Sequence, residues 1–213
     1  MANVIKTLEE NDGVLDERKY TEYSRVVLAL TAIGEDVTDV AGYDLLEPLA
    51  DFDQVKFQGI NGPIFALMAF DAHDYDIPEK TAGETQTTRE LLIEYILDCE
   101  INGGGWALSG TAADPDITAM AIQSLAPYYD SDADVKEAVD KAVEKLSQIQ
   151  KSDGGFASWG TVNSESCAQV IVALTALGID PDEDERFIKN GRSVVDAMMT
   201  FAVDGGGFRH VSS

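Results

Sequence analysis

Two short segments of this chain contain residue types that can do chemistry. The first is Asp114-Pro115-Asp116, in which two carboxylates lie two positions apart; paired carboxylates can supply a general acid or bind a ligand. The second is Ser164-Glu165-Ser166-Cys167, in which a carboxylate and a thiol have the same spacing. Both groups are zinc ligands, but an open zinc site needs three protein ligands. The chain has only two histidines that could complete one, His73 and His210.

A repeat of glycines followed by an aromatic residue surrounds these segments. Its three copies are Gly103-Gly104-Gly105-Trp106, Gly154-Gly155-Phe156 and Gly205-Gly206-Gly207-Phe208, and the aromatic residues are 50 and then 52 residues apart. After the first two copies comes a polar stretch and then an apolar run of small residues. A fixed period of this length predicts a stacked array of one supersecondary unit.

Hydrophobic periodicity divides the chain into two kinds of predicted helix. Amphipathic helices with one wet face are predicted over residues 87–99, 133–150 and 184–202. Helices that are apolar nearly all round are predicted over residues 21–33, 61–71, 115–127 and 164–177. Helices of the second kind must be covered on most sides. The sequence therefore predicts an all-α protein in which an inner layer of apolar helices lies inside an outer layer.

Residues at the ends of the apolar segments support these boundaries. Asp114 and Pro115 are typical of a helix N-cap and first turn. Ser164 and Glu165 open the next apolar helix. Gly34 and Gly178 follow two nearly identical apolar strings and are predicted to end their helices as C-caps.

The string Gln150-Lys151-Ser152-Asp153-Gly154-Gly155-Phe156, followed by a polar linker and an Ala/Leu-rich helix, resembles the prenyltransferase and squalene-cyclase repeat. The resemblance is strong over residues 87–213 and weak over 1–80, and it is closest to repeat domains of secreted bacterial surface proteins. It implies an α/α toroid, a fold that hosts unrelated activities. Residues 1–213 are therefore expected to form one toroid-like arc, incomplete at its C-terminal end because fewer inner helices are predicted than a closed ring has.

The resemblance also defines which motifs an enzyme of this kind would need. Squalene-type cyclases carry an Asp-x-Asp-Asp motif, and the nearest strings here are Asp51-Phe52-Asp53, Asp114-Pro115-Asp116 and Asp130-Ser131-Asp132. None of them matches, and carboxylates at a helix start also complement the helix dipole. The Gly-Cys-Gly-Glu-Gln string of thioester proteins is absent, and no glycine run is followed by the Lys-Ser/Thr of a phosphate loop.

Protein prenyltransferases hold zinc with an Asp-x-Cys pair after a Gly-Gly-Phe turn and a histidine from the following inner helix. Glu165-Ser166-Cys167 lies in the matching register, with Glu in place of Asp. The histidine is missing, because His210 precedes the position of that helix. Glu165 and Cys167 are therefore only weak candidates for a metal site, and no zinc or other cofactor is predicted.

Composition excludes several classes of partner. The chain has 15 Lys and Arg against 39 Asp and Glu, a net charge of −24, which disfavours nucleic acid and anionic membrane surfaces. No apolar run is long enough to span a membrane, and residues 1–6 lack a signal-peptide pattern. The acidic excess and the resemblance together favour an extracellular or cell-surface location. Cys99 and Cys167 are interpreted as thiols, with a disulfide between them as the alternative.

In this fold the inner helix starts and the glycine turns surround one mouth of the central cavity. The candidate ligand-binding residues are therefore Trp106, Asp114, Asp116, Trp159, Ser164, Glu165 and His210. Trp106, Phe156 and Phe208 are also interpreted as hydrophobic plugs of the repeat. Trp159 is predicted to lie on a loop, where an exposed tryptophan is a plausible contact residue.

Three functional hypotheses follow. The first is a non-catalytic binding module of a secreted or cell-surface bacterial protein, which binds a small ligand or a protein partner at the toroid mouth. The second is an enzyme of the prenyltransferase or terpene-cyclase type that acts on an isoprenoid, and the third is a structural or assembly role. An open arc would also expose apolar surface, so a homodimer or closure by the segment around Val4, Ile5 and Leu8 is expected.

Overall fold

The computed structural model describes residues 1–80 and 85–211. The chain forms two compact units, Met1–Asp98 and Cys99–Ser213. Regular structure in the described residues is mostly helical, and the one sheet among them is a two-stranded hairpin. The prediction of a largely all-α protein is therefore confirmed.

Among the described residues, the first unit contains five α-helices. They are α1 (Ala2–Glu10), α2 (Thr21–Ala32), α3 (Phe52–Val55), α4 (Asn61–Asp71) and α5 (Arg89–Asp98). Helices α2 and α5 both pack against α4, whose side chains Ile64, Leu67 and Phe70 are fully buried. The apolar helices predicted over 21–33 and 61–71 are thus confirmed, as is the helix predicted over 87–99.

The described part of the second unit contains four α-helices and the hairpin. They are α6 (Pro115–Leu125), α7 (Ala133–Ile149), β1 (Ala157–Ser158), β2 (Thr161–Val162), α8 (Ser164–Ala176) and α9 (Val194–Met199). Helix α6 packs against α7 and α8, and α8 also packs against α9. The apolar stripe of α7, including Val135, Val139 and Leu146, is buried, while its charged residues face outward. The helices predicted over 115–127, 133–150 and 164–177 are confirmed.

The helix predicted over residues 184–202 is wrong for its first half. Asp184 caps a short 3-10 turn at Glu185–Phe187, and the chain then reverses between Lys189 and Arg192. Asn190 and Gly191 both adopt positive φ there, at 52° and 76°, which no α-helix permits. Helix α9 begins only after Ser193. Phe187 and Val194 are nevertheless buried, which explains why the periodicity suggested a helix.

The two predicted glycine C-caps are confirmed. Gly34 follows α2 at φ 77° and Gly178 follows α8 at φ 71°, a conformation that side chains disfavour. In each case the glycine N–H and the next N–H bond carbonyls of the last helical turn. These bonds join Gly34 to Thr31, Glu35 to Leu30, Gly178 to Thr175 and Ile179 to Leu174.

The three glycine-aromatic copies fold into the same backbone turn. The N–H of the first turn residue bonds the carbonyl four positions on, and its own carbonyl accepts from the N–H three positions on. These pairs are Ile101 with Gly105 and Gly104, Lys151 with Gly155 and Gly154, and Val203 with Gly207 and Gly206. A repeated sequence motif therefore gives a repeated local structure.

The aromatic residues that follow these turns differ in burial. Trp106 and Phe156 are fully buried, as expected for plugs, because the starts of α6 and α8 fold back over them. Phe208 is 48% exposed, so the plug interpretation is wrong for this residue. Residues 209–211, the last that the structure describes, form no helix that would cover it.

Among the described residues, no helix has both the length and the apolar character that a membrane crossing requires.

Candidate functional site

A cavity of about 480 Å³ lies in the second unit at the start of α6. The loop 107–113, the first turns of α6 and the hairpin form its walls. Its main side chains are Leu108, Asp114, Pro115, Asp116, Ile117, Met120, Ser158 and Trp159. We call this cavity the Trp159 cleft. Its volume is that of an ordinary small-ligand site.

Asp114 joins two walls of the Trp159 cleft. Its Oδ1 accepts hydrogen bonds from the backbone N–H groups of Asp116 and Ile117, at 3.0 and 3.1 Å, and so caps α6. Its Oδ2 accepts a hydrogen bond from the Ser158 hydroxyl of the hairpin, at 2.7 Å. The predicted N-cap is confirmed, and the same carboxylate fixes the hairpin beside the helix start.

Asp116, the second residue of α6, is held in a different environment. Burial raises the pKa of its carboxyl above the ordinary value, and the negative charges of Asp114 and Glu165 act in the same direction. The hydroxyls of Ser166 and Ser158 lie close enough to lower this pKa in part. Neither completes a hydrogen bond to Oδ1, which is buried and without a partner. The groups that shift this pKa include no Lys, Arg or His, so no cation compensates the carboxylate.

Trp159 lies at the tip of the hairpin and is 89% exposed. Trp159 and Gly160 form the two-residue turn, at φ 54° and 89°, and Ser158 pairs with Thr161 across it. Such turns require positive φ at both positions, where a residue other than glycine costs about 1 to 2 kcal/mol. The prediction that Trp159 lies on an exposed loop is confirmed. Since the Trp159 ring is not buried, packing of this side chain does not offset the strain of its positive φ.

A second group of predicted residues surrounds the start of α8. Asn163 caps this helix by accepting from the Ser166 N–H at 2.8 Å. The Glu165 carboxylate lies 2.7 Å from His210 Nδ1 and accepts from the Ser164 hydroxyl at 3.1 Å. The His210 contact is the main reason why the pKa of Glu165 is lowered. We call Glu165 and His210 the Glu165 pair; unlike Asp116, this carboxylate has a basic partner.

Cys167 has a structural partner that accounts for its place on α8. Thr118, at the equivalent place on α6, accepts from the Trp106 N–H at 2.9 Å and donates to the Trp106 carbonyl at 3.0 Å. Cys167 is buried, which raises the pKa of its thiol, and a hydrogen bond from the Phe156 backbone partly offsets this rise. Both side chains therefore hold the aromatic of the preceding glycine turn. Cys99 and Cys167 are both thiols, as interpreted from the sequence.

The structure brings three of the seven candidate ligand-binding residues together in the Trp159 cleft: Asp114, Asp116 and Trp159. Ser164, Glu165 and His210 contact one another outside its lining. Trp106 is fully buried and Ser164 nearly so, which removes both from contact with a ligand in this structure. Within residues 1–80 and 85–211, no cluster of three His, Cys, Asp or Glu side chains is placed to hold a metal ion.

Sequence reasoning missed Leu108, Met120 and Ser158 as lining residues of the cleft. The contact of Ser158 with Asp114 spans 44 positions and depends on the hairpin, which no strand pattern predicts. Gly160 was the available signal for a turn at this place. Scans against models of protein families, against curated proteins and against solved structures each found no match.

Proposed function

We propose that this chain is a non-catalytic binding module and that the Trp159 cleft receives its ligand. The observation that carries the proposal is Trp159 itself. A large aromatic ring stands almost fully exposed at a backbone position that disfavours it, beside a cavity of ligand size. Strained and exposed positions of this kind are typical of functional sites rather than of stable cores.

The other two-residue turns of the same type support this interpretation. Ala41-Gly42 and Asn190-Gly191 also occupy the left-handed region, with φ values of 58° and 87° and of 52° and 76°. Alanine and asparagine expose little apolar surface there, and asparagine tolerates the conformation well. Only in the turn beside the cleft does a tryptophan stand at the first position, so turn formation does not explain the residue.

We also propose that the helices assemble as an α/α toroid-like arc of the prenyltransferase and squalene-cyclase repeat type. The shared turn geometry at Ile101, Lys151 and Val203, and the equivalent helix starts of α6 and α8, support this proposal. From the sequence resemblance and the acidity we also propose that the protein is secreted or displayed on a bacterial surface. A homodimer through exposed apolar side chains is a further proposal.

The local roles of the motif residues favour binding over isoprenoid chemistry. Asp114 caps α6 and supports the hairpin, while Cys167 supports the Phe156 turn. These roles account for the two strings that resemble enzyme motifs, the paired carboxylates and the Glu-x-Cys string, without requiring a catalytic role.

The two tryptophans allow a direct test of the binding function. Trp159 is exposed and Trp106 is buried in the same unit. In a ¹⁵N NMR spectrum the indole N–H signal of Trp106 therefore serves as an internal control for that of Trp159. A panel of alkyl amines, neutral sugars, carboxylates and short peptides is titrated against labelled protein. We expect at least one compound to shift the Trp159 signal saturably and leave that of Trp106 unchanged. A panel that leaves Trp159 unmoved, or Trp159→Ala protein that binds as tightly, would contradict the proposal.

A further inference from the structure

The charges in the Trp159 cleft restrict the ligand more narrowly than the fold does. Two carboxylates, Asp114 and Asp116, line it, and none of its lining residues is Lys, Arg or His. An anionic ligand would add a third negative charge to this site, in a chain whose net charge is −24. A cation would instead neutralise a carboxylate that the protein leaves uncompensated.

The apolar walls define the rest of the ligand. Leu108 is half exposed and Met120 half buried, and both line the cleft together with the Trp159 ring. The face of a tryptophan ring attracts ammonium and guanidinium groups, and a flexible methionine adapts to an aliphatic chain. The acidic and the apolar parts of the wall therefore fit the two parts of one ligand.

We infer that the Trp159 cleft recognises a primary ammonium or guanidinium group on an apolar stem, paired with Asp116 and placed against Trp159. This inference rests on the proposed binding function. The group is shared by free alkyl amines and by the lysine or arginine side chains of a peptide. A primary ammonium or guanidinium group suits the site because it donates hydrogen bonds, and the cleft is lined by the Asp114 and Asp116 carboxylates with no Lys, Arg or His beside them.

Position within the helix provides a matched control for Asp116. Asp134 is the second residue of α7, as Asp116 is of α6, and each follows an aspartate that caps its helix. Asp134 is exposed and lies outside the cleft lining. Asp116→Asn and Asp134→Asn therefore remove the same charge from the same helical position, and only the first removes it from the cleft.

The test titrates n-butylammonium, n-butanol and pentanoate, which share one n-butyl stem, and follows the Trp159 indole signal. We expect butylammonium alone to shift the signal saturably. Asp116→Asn should weaken this binding about tenfold to a hundredfold, whereas Asp134→Asn should change it less than twofold. Trp159→Ala, followed by the amide signals of the cleft, should weaken it about twofold to fivefold.

A second arm distinguishes the two sources of the cation. The peptide acetyl-Ala-Lys-Ala-amide is compared with its norleucine analogue, which keeps the stem and removes the charge. Tenfold tighter binding of the lysine peptide than of butylammonium indicates a peptide ligand, and equal binding indicates a free amine; both support the inference.

Other outcomes overturn the inference. Equal binding of butanol and butylammonium, or full binding by Asp116→Asn protein, would show that the charge is not recognised. If maltotriose, a neutral sugar, shifts Trp159 and the amines do not, the binding function stands and the cationic ligand is wrong. If none of the probes in this or the broader panel shifts Trp159, both proposals fail.

Discussion

Asp116 and Glu165 occupy equivalent places in two copies of one repeat, yet their carboxyl groups are shifted in opposite directions. Each is the second residue of an apolar helix that follows a glycine-aromatic turn. Burial raises the pKa of Asp116, whereas the contact with His210 lowers the pKa of Glu165. The backbone of the repeat therefore fixes where the carboxylate stands, and the neighbours from outside the motif fix what it does.

The residues two positions further along α6 and α8 also occupy equivalent places, and their role is structural. Thr118 and Cys167 differ in chemistry but contact the same part of the preceding turn. Where two copies share a role, the residue supports the scaffold. Where they diverge, as at Asp116 and Glu165, groups from outside the motif set the environment of the carboxylate.

The largest expected effect breaks the shared turn itself. A Cβ at Gly154 would lie 2.3 Å from the Ser193 carbonyl oxygen, and the backbone there has φ 86°. Gly154→Ala should therefore lower the free energy of unfolding by about 3 to 4 kcal/mol, as the sum of left-handed strain and a backbone shift. Urea denaturation followed by the emission of buried Trp106 measures this change.

The matched control is Gly206→Ala, at the equivalent place in the third turn. Its φ is 99°, but a Cβ there meets no atom within 4 Å. This substitution should cost only the strain, about 1 to 2 kcal/mol. Equal losses at the two glycines would show that close packing of the Gly154 turn against the Ser193 segment is not important.

The second prediction concerns Cys167 and tests its structural role against a metal role. Cys167→Ala should lower the free energy of unfolding by about 1 kcal/mol, the scale of one lost hydrogen bond. Cys167→Ser should recover part of this loss, because the hydroxyl of Thr118 makes the equivalent contact with the Trp106 backbone in α6. Elemental analysis of the purified protein should find no stoichiometric zinc. Stoichiometric zinc that disappears in Cys167→Ala would overturn this assignment.

Local chemistry made much of the fold predictable from the sequence. The apolar periodicity located α2, α4, α6 and α8 within a few residues, and Gly34 and Gly178 ended two of them as expected. The false helix before α9 arose because buried side chains in a turn mimic helical spacing. The Asn190-Gly191 pair was the turn signal that should have outweighed it.

The candidate site was less predictable, because contacts between distant residues define it. Asp114 and Trp159 were named from the sequence, but their shared cavity depends on the Ser158 hydroxyl, 44 positions from Asp114. Trp106 directly follows a glycine turn, whereas Trp159 lies three residues after Phe156, the aromatic residue of the next turn. One is buried and one is 89% exposed, since only the first is the residue on which a helix start folds back.

The third prediction uses the uncompensated burial of Asp116. A raised pKa means that the folded state holds the proton more tightly, so the ionised carboxylate costs stability above that pKa. Asp116→Asn should therefore stabilise the protein at pH 7, because removing the cost of the buried charge outweighs the loss of its interaction with the helix dipole, about 0.3 to 1 kcal/mol. The gain should shrink as the pH falls through the raised pKa and vanish below pH 3.8, the ordinary value, where Asp116 is neutral in both states.

Asp134→Asn serves as the control for this experiment as well. It removes an exposed carboxylate from the start of α7, where the charge favours the helix dipole, and should cost a few tenths of a kcal/mol. Thermal unfolding across this pH range compares the two variants. A loss of stability in Asp116→Asn at neutral pH would mean that the neighbouring hydroxyls and the helix dipole stabilise the charged carboxylate more than burial destabilises it.

The smallest expected effect belongs to the Glu165 pair. A lowered pKa stabilises the folded state above the ordinary value of 4.5, and this contribution is lost as the pH falls through the lowered pKa. Both side chains are more than half exposed, so solvent screens the pair and Glu165→Gln should cost less than about 0.5 kcal/mol near neutral pH. A double-mutant cycle with His210→Ala, measured by urea denaturation at low and high salt, isolates the coupling. We expect a favourable coupling that salt weakens and that disappears at acidic pH. Glu165→Gln should lower the free energy of unfolding near neutral pH, whereas Asp116→Asn should raise it. Equal signs at Asp116 and Glu165 would mean that the helix start, common to both copies, decides the behaviour of the carboxylate and that its neighbours do not.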